Sequence, residues 1–182
     1  MYKPAFLVAA FLYVVPGTAG AQTTAASRPA DPPPATRLEA FKPAAGTLVT
    51  VAYDELGQVS GISVDVREIR AERAGAVRGV VVQVRESQYR EERSFVDADE
   101  VPELLRGIDA LLDIGSNPTS FQNFEVQYTT KGELQITAFN DARGGIRYAV
   151  RAGRAVSART FVDAAELRRL RGMIEAAGQR LQ

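Results

Sequence analysis

The chain contains one motif twice, as RSFVDADEVPELL at residues 93–105 and as RTFVDAAELRRL at residues 159–170. Each copy begins with alternating polar and apolar residues, which is typical of a β-strand. An Asp follows, then a Glu three positions later and apolar residues at helical spacing, which together mark the start of a helix. The motif therefore predicts, twice, a strand that leads directly into a helix.

The repeat extends beyond this motif. Shifted by 66 positions, residues 79–111 align with residues 145–177 without a gap. The identical pairs are Gly79/Gly145, Val84/Val150, Arg85/Arg151, Arg93/Arg159, Phe95/Phe161, Val96/Val162, Asp97/Asp163, Ala98/Ala164, Glu100/Glu166, Leu104/Leu170, Ile108/Ile174 and Ala110/Ala176. Upstream, VAYDELG at residues 51–57 resembles VQYTTKG at residues 126–132, and the first copy has a longer loop, REIRAERAGAVRG. These matches indicate an internal duplication.

Each copy contains four segments with the alternation of a half-buried strand. They cover about residues 49–54, 62–70, 79–85 and 89–96, and then 124–128, 134–138, 146–151 and 155–162. Gly57 and the pair Gly144-Gly145 are interpreted as turn glycines. Asp97 and Asp163 are predicted helix N-caps, with Glu100 and Glu166 as their capping-box partners.

These elements predict an α+β fold of two tandem β-β-β-β-α repeats, residues 47–120 and 121–182. We expect two antiparallel sheets, each with one packed C-terminal helix, in a pseudo-twofold arrangement. One helix covers one face of a sheet, and the strand alternation leaves the other face polar. The junction GSNPTS, residues 115–120, is short, so the repeats should pack together.

The N-terminus has the pattern of a secretory signal peptide. Lys3 precedes an apolar run at residues 5–15, and Ala19-Gly20-Ala21 forms a cleavage pattern. We expect a signal peptide at residues 1–21, export to the periplasm or out of the cell, and no membrane span after cleavage. The alternatives for the apolar run are a buried helix and a short membrane anchor. Residues 22–46 are rich in Pro, Ala and Thr and are interpreted as a disordered linker.

The composition excludes several chemistries. The chain has no Cys, His or Trp, which removes disulfides, thiol nucleophiles, imidazole bases and the usual zinc and haem ligands. Asp97, Asp99 and Glu100 lack the spacing of an EF-hand, and helix capping explains their positions. No cofactor, no metal site and no catalytic residue is predicted.

The charge differs between the repeats although the whole chain is neutral. Residues 54–113 hold 14 acidic and 8 basic residues, whereas residues 121–182 hold 6 acidic and 10 basic residues. The candidate anion-attracting surface of the second repeat consists of Arg143, Arg147, Arg151, Arg154 and Arg159. The alternative, a solvated strand face, stays open.

The order of elements is similar in outline to the PUR and Whirly groups of single-strand binders. That resemblance implies a nucleic-acid-binding sheet, and such a sheet needs exposed aromatic residues. The predicted solvent-side positions are Ser63, Asp65, Arg67, Val81, Gln83, Arg85, Arg147, Ala149 and Arg151, with Phe139 the only clear aromatic. Nucleic acid is therefore not an expected partner.

The leading hypothesis is an exported, non-enzymatic binding or protein-interaction module. Its partner would be an unknown protein or an anionic ligand, and the chain would be a monomer or a homodimer. The main alternative is a periplasmic or secreted enzyme that uses carboxylates and Arg, with a concave pocket that gathers them. A single-strand nucleic-acid binder is the third hypothesis.

Overall fold

The computed structural model describes residues 33–72, 74–115, 118–141 and 143–182. The predicted signal peptide and residues 22–32 of the predicted linker lie outside the described residues. The elements are α1 (Arg37–Ala40), β1 (Val49–Val59), β2 (Ile62–Ala71), β3 (Gly75–Ser87), β4 (Arg90–Asp97), α2 (Val101–Leu112), β5 (Glu125–Thr129), β6 (Gln135–Asn140), β7 (Ile146–Ala152), β8 (Ala158–Val162) and α3 (Ala164–Arg180). None of the described helices has the length and apolar character needed to cross a membrane.

The strands form two antiparallel sheets of four. Their orders are β1-β2-β3-β4 and β5-β6-β7-β8, so every neighbour in a sheet is also a neighbour in sequence. The first sheet is followed by α2 and the second by α3. The molecule is therefore an α+β fold with tandem sheet-helix repeats, as predicted.

Two local interpretations of the first repeat were wrong. The expected long loop is mostly strand, because β2 and β3 remain paired as far as Ala71 and Gly75. Gly57 lies inside β1, at a bulge where its φ is 134°, and not in a turn. The turn is formed by Ser60 and Gly61, with φ values of 47° and 78°. Two successive positive φ values suit the right-handed twist of a tight hairpin.

Each helix packs mainly against the sheet of the other repeat. Helix α3 lies against β1 and β2, helix α2 lies against β5 and β6, and the two helices contact each other. Gly107 of α2 touches Tyr128, since a Cβ there would lie 2.5 Å from the Tyr128 ring. Gly57 faces the Met173 sulfur of α3, which would be 3.1 Å from an added Cβ. Apolar side chains from both repeats consequently form one shared core.

An ion pair joins the two helices. The Arg171 guanidinium of α3 donates to both carboxylate oxygens of Asp109 in α2, at 2.9 Å for the Nη2–Oδ2 pair. This contact holds the pKa of Asp109 below its usual value. Burial beneath α2 also raises the pKa of Tyr128. The packing of each helix near the other repeat thus includes polar as well as apolar contacts.

The capping glutamates also connect the repeats. Glu100 accepts a hydrogen bond from the Lys131 amide at 2.9 Å, in the β5–β6 turn. Glu166 accepts one from the Ser60 hydroxyl, in the β1–β2 turn. The Thr160 hydroxyl donates to the Ser60 carbonyl at 3.1 Å. Each Glu therefore binds the first hairpin of the other repeat, a role that capping alone did not suggest.

The two helix starts differ. Asp163 occupies the N-cap of α3, where its carboxylate accepts the Glu166 amide at 2.8 Å. In the first repeat, a 3₁₀ turn at Ala98–Glu100 precedes α2, so Glu100 stands at the N-cap position of the helix. The Asp97 carboxylate accepts the Arg37 amide, at 2.9 and 3.2 Å. Asp97 is thus the N-cap of the 3₁₀ turn that leads into α2, and the predicted capping box with Glu100 is present there.

The described part of the expected linker is not wholly disordered. Thr36 caps α1, and Thr36 and Leu38 are both buried. Leu38 lies over Gly79 of β3, where an added Cβ would be 2.7 Å from its Cδ1 atom. Residues 36–40 are ordered because this apolar side chain covers the sheet at a position that has no side chain of its own.

Candidate functional site

The second sheet has one face on the core and one face turned away from it. The outward positions follow from strand alternation and the pairing register. We call this surface the second-sheet face; it consists of Glu125, Gln127, Thr129, Gln135, Thr137, Phe139, Arg147, Ala149, Arg151, Arg159 and Phe161.

The residues of this face lie in three rows across the strands. The middle row is Gln127, Thr137, Ala149 and Phe161, and one flanking row is Thr129, Gln135, Arg151 and Arg159. The other flanking row is Glu125, Phe139 and Arg147. Because the central Thr137 and Ala149 are small and their neighbours are large, a depression of about 300 Å³ forms between them. All residues of the face except Thr129 and Arg147 line it.

Arg151 and Arg159 are directly opposite each other on β7 and β8. Among the described residues, neither guanidinium forms an ion pair with a carboxylate. The Nε atom of Arg151 is buried and has no hydrogen-bond partner in that part of the chain. A buried donor without a partner and two like charges across a strand pair both cost stability. An anion bound here would offset both costs.

Two phenylalanines lie on the same face as the arginine row, which is the row of Arg151 and Arg159: Phe161 is in the middle row next to it, and Phe139 is in the opposite flanking row. The rings of Phe139 and Phe161 meet edge to face, with centroids 6.0 Å apart and an interplanar angle of 73°. The Arg159 guanidinium carbon lies 5.1 Å from the Phe161 centroid, within reach of a cation–π contact. Phe161 is 51% exposed. The expectation that Phe139 is the only aromatic on these solvent faces was therefore wrong.

The pairing of the two arginines depends on a register that the repeat alignment does not contain. Val96 pairs with Val80 in the first sheet, but Val162 pairs with Tyr148, not with Ile146 as the single offset of 66 requires. The pairing of β7 with β8 is thus shifted by two residues relative to the pairing of β3 with β4. In the first sheet Arg93 consequently faces Gln83, and Arg85 faces and ion-pairs with Glu91.

The corresponding face of the first sheet is covered beside β3 and its charges are neutralised, whereas Val51 and Tyr53 leave its β1 side exposed. Leu38 lies on it at Gly79, and Val81 on the same face is fully buried. Asp65 and Arg67 form an ion pair there at 2.9 Å. Within the described residues, only the second sheet has two arginines directly opposite each other on neighbouring strands of its outward face.

The five predicted arginines do not form one surface. Arg147, Arg151 and Arg159 share the second-sheet face. Arg143 is exposed in the turn before β7, where its amide donates to Asp141 at 2.8 Å. The Gly145 and Arg143 amides lower the pKa of Asp141.

Arg154 lies outside the second-sheet face. It pairs with Glu39 at 3.4 Å and Glu133 at 3.5 Å, and it also donates to the Pro33 carbonyl. Arg154 therefore fastens the segment before β1 to the second repeat and is not part of the candidate site.

The candidate site contains one carboxylate among its lining residues, Glu125. The described residues contain no group of three or more acidic, His or Cys side chains placed to hold a metal ion. No family model matches the chain, and no curated protein matches it significantly. Its function is therefore inferred from the geometry of this face.

Proposed function

We propose that the protein is an exported, non-enzymatic binding module that takes an anionic ligand on the second-sheet face. One observation carries the proposal: the buried Nε atom of Arg151 has no hydrogen-bond partner among the described residues, and the exposed Arg159 lies directly opposite Arg151. Export rests on the signal-peptide pattern of residues 1–21.

The chemistry of the site favours a carboxylate or a phosphate. A guanidinium offers its N–H groups as a rigid fork that matches these planar or tetrahedral anions. Two such forks face each other across β7 and β8, and the exposed Arg147 adds positive charge on the same face. A partly buried site also strengthens the attraction relative to open water.

The proposal is tested by nuclear magnetic resonance of the chain from residue 22. Inorganic phosphate and acetate are titrated while the Nε–H signals of Arg151 and Arg159 are followed, and the Arg159 signal reports binding in the variant that lacks Arg151. We expect a saturable shift that moves with the shift of the Arg159 signal, because both donors would bind one anion. The affinity should fall about tenfold or more in Arg151→Gln, since a charge-assisted hydrogen bond is lost.

The control is Arg106→Gln, which removes the same charge from the exposed surface of α2. It should bind the anions as the unchanged protein does. An equal loss in both variants would reduce the effect to net charge, and the absence of any saturable shift of the Arg151 signal would overturn the proposal.

A further inference from the structure

We infer that the ligand carries an aromatic ring next to its anionic group, so that it is a small aryl carboxylate or aryl phosphate. This inference rests on the proposed function, because it assumes that Arg151 and Arg159 hold the anion. It goes further by assigning a partner group to the rest of the pocket.

The volume of the pocket exceeds what a simple anion needs. A water molecule takes about 30 Å³ of liquid, so the space of about 300 Å³ corresponds to roughly ten such volumes. A bare phosphate or acetate would leave most of it filled with water. One six-membered ring with its anionic substituent matches the size better.

The floor of the pocket has the shape for a ring. Thr137 and Ala149 are small, and Phe139 rises on one side of them with its ring in contact with Phe161. The arginine row lies next to the row of Thr137 and Ala149, about 7 Å from it along the strands. A ring above Ala149 would contact the Phe139 side chain while its anionic group reaches Arg151. Aromatic pairs in edge-to-face or offset contact are favourable beyond the area that they bury.

The remaining polar groups limit the charge of the ligand. Gln127, Gln135 and Thr137 supply amide and hydroxyl groups to the same depression. Glu125 stands at the β5 end of the row that also holds Phe139 and Arg147, and it would repel a second negative group placed beside β5. The ligand should therefore be anionic at one end and neutral or hydroxylated at the other. A long polyanion laid across all four strands would meet Glu125.

Matched probes separate this inference from the proposed function. Acetate is compared with benzoate, and inorganic phosphate with phenyl phosphate, in the same resonance titration. In the unchanged protein each aryl probe should bind about tenfold tighter than its simple partner. Phe139→Leu should remove most of that preference and keep the affinity for acetate and phosphate, whereas Arg151→Gln should weaken all four.

The control is Phe121→Leu, because Phe121 is exposed at 77% and lies outside the second-sheet face. It should leave the preference for the aryl probes unchanged. Equal binding of phenyl phosphate and phosphate, both lost in Arg151→Gln, would leave the proposed function standing and overturn the aromatic ligand. Tighter binding of a single-stranded oligonucleotide than of phenyl phosphate would overturn it as well.

Discussion

Arg151 carries a cost to the stability of the fold that nothing in the described residues offsets. Its Nε atom lacks a partner and its cross-strand neighbour has the same charge. By contrast, Arg85 of the first sheet has a carboxylate, Glu91, opposite it. Surface positions that cost stability without an internal compensation are typical of binding sites.

Glu166 provides a test of acid sensitivity at the scale of one residue. The Ser60 hydroxyl and the Asp163 amide hold its pKa below the ordinary value of 4.5. A carboxyl group with a lowered pKa stabilises the fold above its unfolded pKa, and that contribution is lost as the pH falls through the folded pKa. Glu166→Gln should therefore lower the free energy of unfolding near pH 7 and reduce its decrease below about pH 4.5.

Urea denaturation near pH 7 and again below about pH 4.5 measures the free energy of unfolding of each variant. The control is Glu55→Gln, which alters an exposed carboxylate on β1. It should have little effect at either pH. An acid transition in Glu166→Gln as steep as in the unchanged protein would show that this contact does not contribute.

At the scale of elements, replacing each of two helical glycines by Ala should change the free energy of unfolding in opposite directions. Gly107 lies where α2 meets β5, and a Cβ there would be 2.5 Å from the Tyr128 ring. Gly107→Ala should lower the free energy of unfolding by about 1–3 kcal/mol, since the helix must move away from the sheet. Gly172 of α3 has no such neighbour within 4 Å of an added Cβ. Gly172→Ala should raise the free energy of unfolding by about 0.5–1 kcal/mol, because Ala favours a helix.

Thermal and urea unfolding of the two variants compare these effects directly. The substitution is the same in both, so intrinsic helix propensity acts in the same direction. A stabilising Gly107→Ala would contradict the close approach of α2 to the second sheet.

At the scale of the whole molecule, each repeat depends on the helix of the other repeat for its folding. The sheet of each repeat is covered mainly by the helix of the other, and the apolar core contains side chains of both. Residues 47–120 or 121–182 alone should therefore either remain unfolded or associate with a second copy of the same fragment. An equimolar mixture should form a folded complex of one copy of each.

Circular dichroism and analytical ultracentrifugation distinguish these states. The full chain from residue 22 is the reference for folded signal and mass. A fragment that folds as a stable monomer would contradict the shared core.

The sequence by itself determined the eight strands, the two long helices and their order, but not α1. Strand alternation and the repeated helix-start motif depend on residues within a few positions of one another, so they are readable locally. The same alternation placed Arg147 and Arg151 on one face.

Only the tertiary structure decided which sheet each helix covers, where α1 packs, and how β7 and β8 align. The two-residue register difference set Arg159 opposite Arg151 and Phe161 opposite Ala149. Such contacts join distant parts of the chain, and their free energies depend on packing and burial that no local pattern contains.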